Sequence, residues 1–271
     1  MAFQTKSSVL AVIEETTEGT LVDPSAGAEF TVLREGFSVE SANDTITSDE
    51  LVNSIGASKS YLSQQSPSAS IPKYFKHSGV EGQKPDYSIM IESLIGEVTE
   101  FGTEYAVVSG STAGDAATRA YLQLNTGDAT AGAFKAGQAV IIKHPSNPYE
   151  INNIYTVDTA NDRLYLAFNT QNAPASGTTL GKAVFYEVKP TAHPTYSLHH
   201  YQASDTTSAF HQAISGCRTL SLAAAFPATE LATVDFSIEG TKFFFDPIRI
   251  TASNKYIDFV DDGGTKAAIL D

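Results

Sequence analysis

Four histidines lie close together in the chain, His193, His199, His200 and His211, with Asp205 among them. Imidazole and carboxylate hold zinc and related ions, and ligands carried on one strand come at i and i+2. His199 and His200 are adjacent instead, so a strand through them sends the two rings to opposite faces. The spacing speaks against a shared ion. Cys217 precedes Arg218, a cation that would favour the thiolate, yet no base accompanies it, and a buried structural thiol on a strand is the simpler reading. Glu14–Glu15 and Asp261–Asp262 pair carboxylates only along the chain. Acid–base work needs two carboxyls set apart in space, in environments that split their pKa values. G-x-S-x-G, G-x-x-x-x-G-K-[ST] and H-E-x-x-H do not occur, which removes the common hydrolase and nucleotide motifs. No catalytic residue, cofactor or metal ligand is expected, and the chain does not read as an enzyme.

Charge is more informative than chemistry here. Residues 1–104 hold 16 Asp and Glu against 6 Lys and Arg, residues 105–189 hold 6 against 6, and residues 190–271 hold 9 against 5. Two acidic flanks around a neutral middle predict one unit formed by 1–104 and 190–271, with 105–189 inserted into it. A net charge of −14 also disfavours a grip on nucleic acid or an anionic membrane, because phosphate contacts need Lys and Arg. The single cysteine rules out an intramolecular disulfide framework and points to synthesis in a reducing cytoplasm. The early apolar run Val9–Ile13 is too short for a secretory signal, and no run reaches the ~18 apolar residues of a membrane span.

The elements that would position any site are mostly strands. Residues 1–29 read as an arm: a short apolar patch, then a turn-rich stretch punctuated by Gly19, Pro24 and Gly27. Phe30–Leu33 and Phe37–Glu40 have strand character, and Thr45–Thr47 is placed to pair back onto them. Residues 48–66 lack a period and form the core of a long polar loop over 41–66, a length that usually has a purpose. Ala69–Phe75 resumes strand character, with Pro72 implying an edge position or a bulge. Pro85–Asp86 opens a helix with the apolar stripe Met90, Ile91, Leu94 and Ile95, stopped by Gly96.

Five segments of the middle region read as a small all-β barrel: 120–124, 138–142, 149–157, 163–168 and 184–188. Beyond Pro190, Thr195–Tyr201, Leu220–Phe226 and Thr233–Glu239 read as strands. Ser208–Ser215 fits either a strand or a helical turn.

Two stretches resemble major tail tube proteins of long-tailed double-stranded DNA bacteriophages. The first is Ser7–Leu21, an apolar patch followed by Glu14 and a Gly19–Thr20 turn. The second is Ile214–Leu222, with its Gly216–Cys217 start, followed by Phe236–Gly240. The order of arm, strand, long loop, strand, helix and late strands also matches. The resemblance covers the two flanks and not the insert.

It implies a mainly β fold, a tail-tube-type sandwich or barrel with one flanking helix, to which this chain adds the small barrel. It further implies a virion tail subunit made in the bacterial cytoplasm. Such subunits form stacked hexameric rings around a tape-measure protein, meet tail-end proteins, and let DNA pass during genome ejection without specific binding or membrane contact. An acidic lumen suits that passage, and Glu35, Glu40, Asp44, Asp49 and Glu50 are its candidate lining. The arm and the 41–66 loop are the expected inter-ring contacts, through Leu10, Ile13, Leu51, Val52, Ile55, Tyr61 and Leu62. The alternative is a carbohydrate- or cell-surface-binding β-module, with Tyr121, Tyr149, Tyr155 and Tyr165 of the insert as a sugar platform.

Overall fold

The computed structural model describes residues 8–24, 30–47, 60–181, 183–191, 193–203, 208–249, 258–260 and 266–268. The chain is mainly β and divides into two compact units, one of residues 1–76, 85–97 and 188–271, the other of residues 77–84 and 98–187. The second unit takes in 77–84 and 98–104 besides most of the neutral stretch. No helix among the described residues is long and apolar enough to cross a membrane.

The first unit opens with β1 (Ser8–Glu14), β2 (Phe30–Thr31), β3 (Ser38–Thr47) and β4 (Ser60–Tyr74), followed by α1 (Ser88–Ile95). β1 corrects the reading of an arm. Val9, Leu10, Ala11, Val12 and Ile13 are all buried, as an unbroken apolar run is when both faces of its strand are covered. Thr45–Thr47 does not fold back on Phe30–Glu40 either. It continues β3 and pairs with Ser60–Leu62, which makes 38–47 and 60–74 the arms of one hairpin. The loop expected from 48 to 66 therefore yields to strand at Ser60.

β5 (Gly96–Phe101) leads from the first unit into the second. The second unit's barrel uses β6 (Tyr105–Ala106), β7 (Tyr121–Gln123), the short α2 (Asp128–Ala131), β8 (Ala139–Lys143), β9 (Glu150–Asp158), β10 (Arg163–Leu166) and β11 (Thr179–Leu180). Strand order is β6-β11-β8-β9-β10-β7. Bridges Val107↔Leu124 and Thr112↔Tyr121 carry the ladder from the last strand back to the first and close it. Leu122, Leu124, Ile142, Ile154, Leu164 and Leu166 fill the interior. One expected barrel strand lies elsewhere: β12 (Ala183–Val188) pairs with β5. The two-residue strands β6 and β11 take the place assigned to it, being too short to give a sequence signal.

The chain then returns through β13 (Tyr196–Ala203), β14 (Ser208–Ala225), β15 (Thr233–Glu239) and β16 (Lys242–Arg249), with a separate pair β17 (Asp258–Val260) and β18 (Lys266–Ala268). The main sheet runs β2-β1-β13-β14-β15-β4-β3, and β16 also pairs with β14. Ser208–Ser215 and Leu220–Phe226, separate in the sequence reading, are nearly all one strand of 18 residues.

Helix α1 starts after Pro85 and stops at Gly96, whose φ of +120° is open to glycine and strained for other residues. Asp86 serves something other than the helix dipole. Its Oδ2 lies 2.9 Å from Nζ of Lys73, whose side chain is only 1% exposed. Thr31 bridges the two by hydrogen bonds, and the ammonium also sits 5.4 Å from the Tyr87 ring centroid. Burial pulls the Lys73 pKa down against the opposing pull of Asp86. Burial pushes Asp86 up, but Lys73 and the Thr31 hydroxyl outweigh it and leave the carboxyl below its ordinary value.

Removing one partner strands a buried charge. Asp86→Asn is expected to cost about 3–5 kcal/mol, and Lys73→Met with Asp86→Leu to recover most of it, as read by urea unfolding. Because the folded carboxyl has the lower pKa, its stabilisation is complete above about pH 4 and fades as pH falls through the depressed value. Unfolding midpoints from pH 7 down to pH 2 should fall less steeply in the doubly apolar variant than in the native chain, by the share that Asp86 contributes.

Candidate assembly surface

The most regular surface of the first unit is one face of the sheet half formed by the end of β14 with β15, β4 and β3. β15 alternates strictly, with Val234, Phe236 and Ile238 buried and Asp235, Ser237 and Glu239 exposed. Residues paired directly across strands point to the same side, so the register writes out the open face in rows. Arg218, Glu239, Ser68 and Glu40 form one row. Ser221, Ser237, Ser70 and Ser38 form the next. Ala223 and Asp235 follow, with Arg34 reaching Asp235 at 3.7 Å. Arg218 in turn meets Glu18 at 3.1 Å. The face carries small and polar side chains, with carboxylates among serines and its guanidiniums paired to carboxylates.

Of the acidic residues singled out in the sequence, Glu40 stands on this face and Glu35 is exposed in the turn before β3. Asp44 lies on β3 by its backbone, and Asp49 and Glu50 fall outside the described residues. Asp235 and Glu239 were missed, although the alternation of Thr233–Glu239 already put them on the polar side. Tyr61 and Leu62 lie on β4 opposite Ile46 and Thr45, while Leu51, Val52 and Ile55 are outside the described residues. Leu10 and Ile13 spend their apolar side chains inside the subunit, at 0% and 8% exposure, and have no surface to offer a neighbour.

What aims this face is a bend in β14. Its first half lies between β13 and β16, its second half against β15. Between the halves Gly216 has φ of +66°, and an added Cβ would stand 2.4 Å from Thr241 Oγ1. The chain passing opposite is as tight, since a Cβ on Gly240 would meet Ile214 Cγ2 at 2.2 Å. Thr241 donates from N and Oγ1 to Ser215 O at 2.9 and 3.0 Å.

Glu15, buried, clamps the bend from below. Its Oε1 accepts from Gly216 N–H and Ser197 Oγ, each at 2.8 Å, and its Oε2 from Gly19 N–H at 2.8 Å. Burial and this carboxylate push the Cys217 thiol up, so the thiol is inert, contrary to what Arg218 beside it would suggest.

The histidines are structural in the same region. His199 Nε2 donates to Val22 O at 2.8 Å, which makes Nδ1 the acceptor for His211 Nε2 at 3.0 Å. The rings stack, as does Tyr201 on His211 at 4.5 Å. His200 points the other way, 4.6 Å from the Phe37 ring, and burial lowers its pKa. His193 sits between Ser93 O and Lys189 O at 3.0 and 2.7 Å. No group of three metal-ligating side chains occurs among the described residues.

On the barrel, Tyr121 and Tyr165 lie 5.5 Å apart on the outer side, with Arg163 4.8 Å from Tyr121. A bulge in the β9–β10 ladder leaves Tyr155 exposed under Arg119, whose Cζ is 3.9 Å from the ring centroid.

A family model described as phage tail tube protein matches residues 5–245. The match spans both flanks and the barrel between them, which the resemblance of short stretches did not cover. No curated protein matches the chain.

The clamp is open to test. Glu15→Ala leaves a buried hydroxyl and two backbone N–H groups without their acceptor, each worth about 1–3 kcal/mol. Together they are worth about 3–9 kcal/mol, so the melting temperature is expected to fall by at least roughly 6 °C. A fall of only a degree or two would show that the bend holds without the carboxylate.

Proposed function

The chain belongs to the phage tail tube protein family and is a structural component of the virion tail; on that premise we propose that it closes into hexameric rings that stack around a tape-measure protein, with the serine- and carboxylate-bearing face of the half-sheet turned to the bore. The rows of that face carry the reading. Small side chains leave a smooth wall, and carboxylates deny phosphates the counterion-releasing contacts that Lys and Arg provide, so DNA slides past without specific binding. Ring closure would join the strand edges that a free subunit leaves open. β3 has β4 as its only sheet neighbour among the described residues, and pairing such an edge is how a β-rich chain avoids uncontrolled association. The β3–β4 hairpin is the stacking element, through 48–59 and the Tyr61–Leu62 strand start. The barrel decorates the exterior, and the tail-end proteins meet the last ring.

A second reading, a glycan platform on the barrel, is favoured by Tyr155 standing outward with Arg119 on its face. Glycan-array binding by the full chain, abolished by Tyr155→Ala, would support it, and a blank array would remove it.

Charge inversion tests the bore. Tubes assembled from Glu40→Lys, Glu239→Lys subunits are expected to form normally, to retain duplex DNA at ~0.1 M salt and to release it as salt rises. Phage carrying the change should eject DNA more slowly. Normal ejection and no added DNA retention would count against this face as the wall.

A further inference from the structure

The two ends of the half-sheet differ in chemistry. At one end β3 and β4 run out into residues 48–59. At the other, β4 ends at Tyr74, β14 at Ala225, and β15 begins at Thr233. That second end is apolar. Tyr74, Phe75, Phe226 and Leu231 are 45%, 50%, 67% and 68% exposed.

These residues are contiguous. Phe75 and Phe226 meet edge-on at 5.2 Å, and Phe75 N–H donates to Ala232 O at 2.8 Å. Tyr74 pairs with Thr233, and Arg34 lies 5.6 Å from the Tyr74 ring centroid. Arg34, Tyr74, Glu230 and Leu231 line an open groove here. Scattered surface apolar residues need no partner, whereas a clustered patch with a charged rim marks an interface.

We infer that this aromatic end receives residues 48–59 of a second copy of the chain, in the next ring of the stack. The inference rests on the tube reading and names its acceptor.

Three observations select that occupant. The patch lies at the Tyr74 end of β4, and the 48–59 segment joins Thr47 to Ser60 at the other end of the β3–β4 hairpin in the chain, so stacking along the strand direction sets one against the other. The contact joins two different surfaces and repeats without closing, the geometry that generates a filament. The segment also supplies the matching chemistry: Leu51, Val52 and Ile55 for the aromatic surface, Asp49 or Glu50 for Arg34, and Lys59 for Glu230. β4 is 15 residues long, roughly 45–50 Å, so a single strand spans the distance between the two contacts.

The test uses the full chain. Phe226→Ser with Leu231→Ser changes exposed turn residues, so its melting temperature should stay near that of the native chain. Its sedimentable polymer should fall by at least about tenfold. In a second variant, Leu231→Cys with Ile55→Cys, oxidation of assembled tubes should yield a disulfide-linked ladder, because Cys217 is buried and takes no part.

Tubes of normal yield from the double serine variant, or no ladder from normally formed cysteine tubes, would overturn the inference and leave the tube reading standing. If the unsubstituted chain formed neither rings nor tubes at any concentration, the tube reading itself would fall and this acceptor with it.

Discussion

One buried carboxylate holds the place where the sheet changes direction. Glu15 accepts from Gly216 N–H at the bend of β14, from Ser197 on β13 and from Gly19 in the turn that follows β1. Among the described residues, β14 is the strand that joins the two halves of the main sheet. If its bend were free to straighten, the rows of Arg218, Glu239, Ser68 and Glu40 would lose their fixed orientation relative to β1 and β13. A charged group buried without partners would be costly. Here its three donors sit on segments that have to be held together anyway, so the cost of desolvation is met by hydrogen bonds the fold needs.

The glycines at this crossing explain why the bend is specific. Gly216 and Gly240 face neighbours at distances no Cβ tolerates, and the Thr241 backbone and hydroxyl both bond to Ser215 O. The strand that runs beside β14, β15 continued as β16, passes it at this crossing. The Lys73–Asp86–Thr31 cluster does a comparable job elsewhere in the unit, tying β4 and β2 to the start of α1. Both clusters are polar interactions inside a β-rich core, and each fixes the relative position of elements that apolar packing alone would leave free to slide.

Parts of this were legible in the sequence because they depend on neighbours a few residues away. Pro85, the stripe from Met90 to Ile95 and Gly96 delimit α1, and the alternation of Thr233–Glu239 gives β15 and its exposed acids. Turn residues mark off β7 to β10 of the barrel. What escaped depends on distant partners. Val9–Ile13 reads as a detached patch until β2 and β13 flank it, and Glu15 reads as one surface acid of a pair, although its partners Ser197 and Gly216 lie 182 and 201 residues away. Val184–Val188 has a strand's composition in either setting, and only pairing decides that it joins β5. Polar, non-periodic Ser60–Ser66 becomes strand because β3 lies beside it, a tertiary effect that outweighs local propensity.

The central claim is that the small polar face, and not its apolar reverse or the barrel, borders the channel. A cryo-electron microscopy map of the assembled tube decides it directly. The account expects Ser38, Glu40, Ser70, Ser237 and Glu239 to line the bore of every ring, with the barrel at the outer radius. A bore walled by the barrel, or by a surface dense in Lys and Arg, would contradict it.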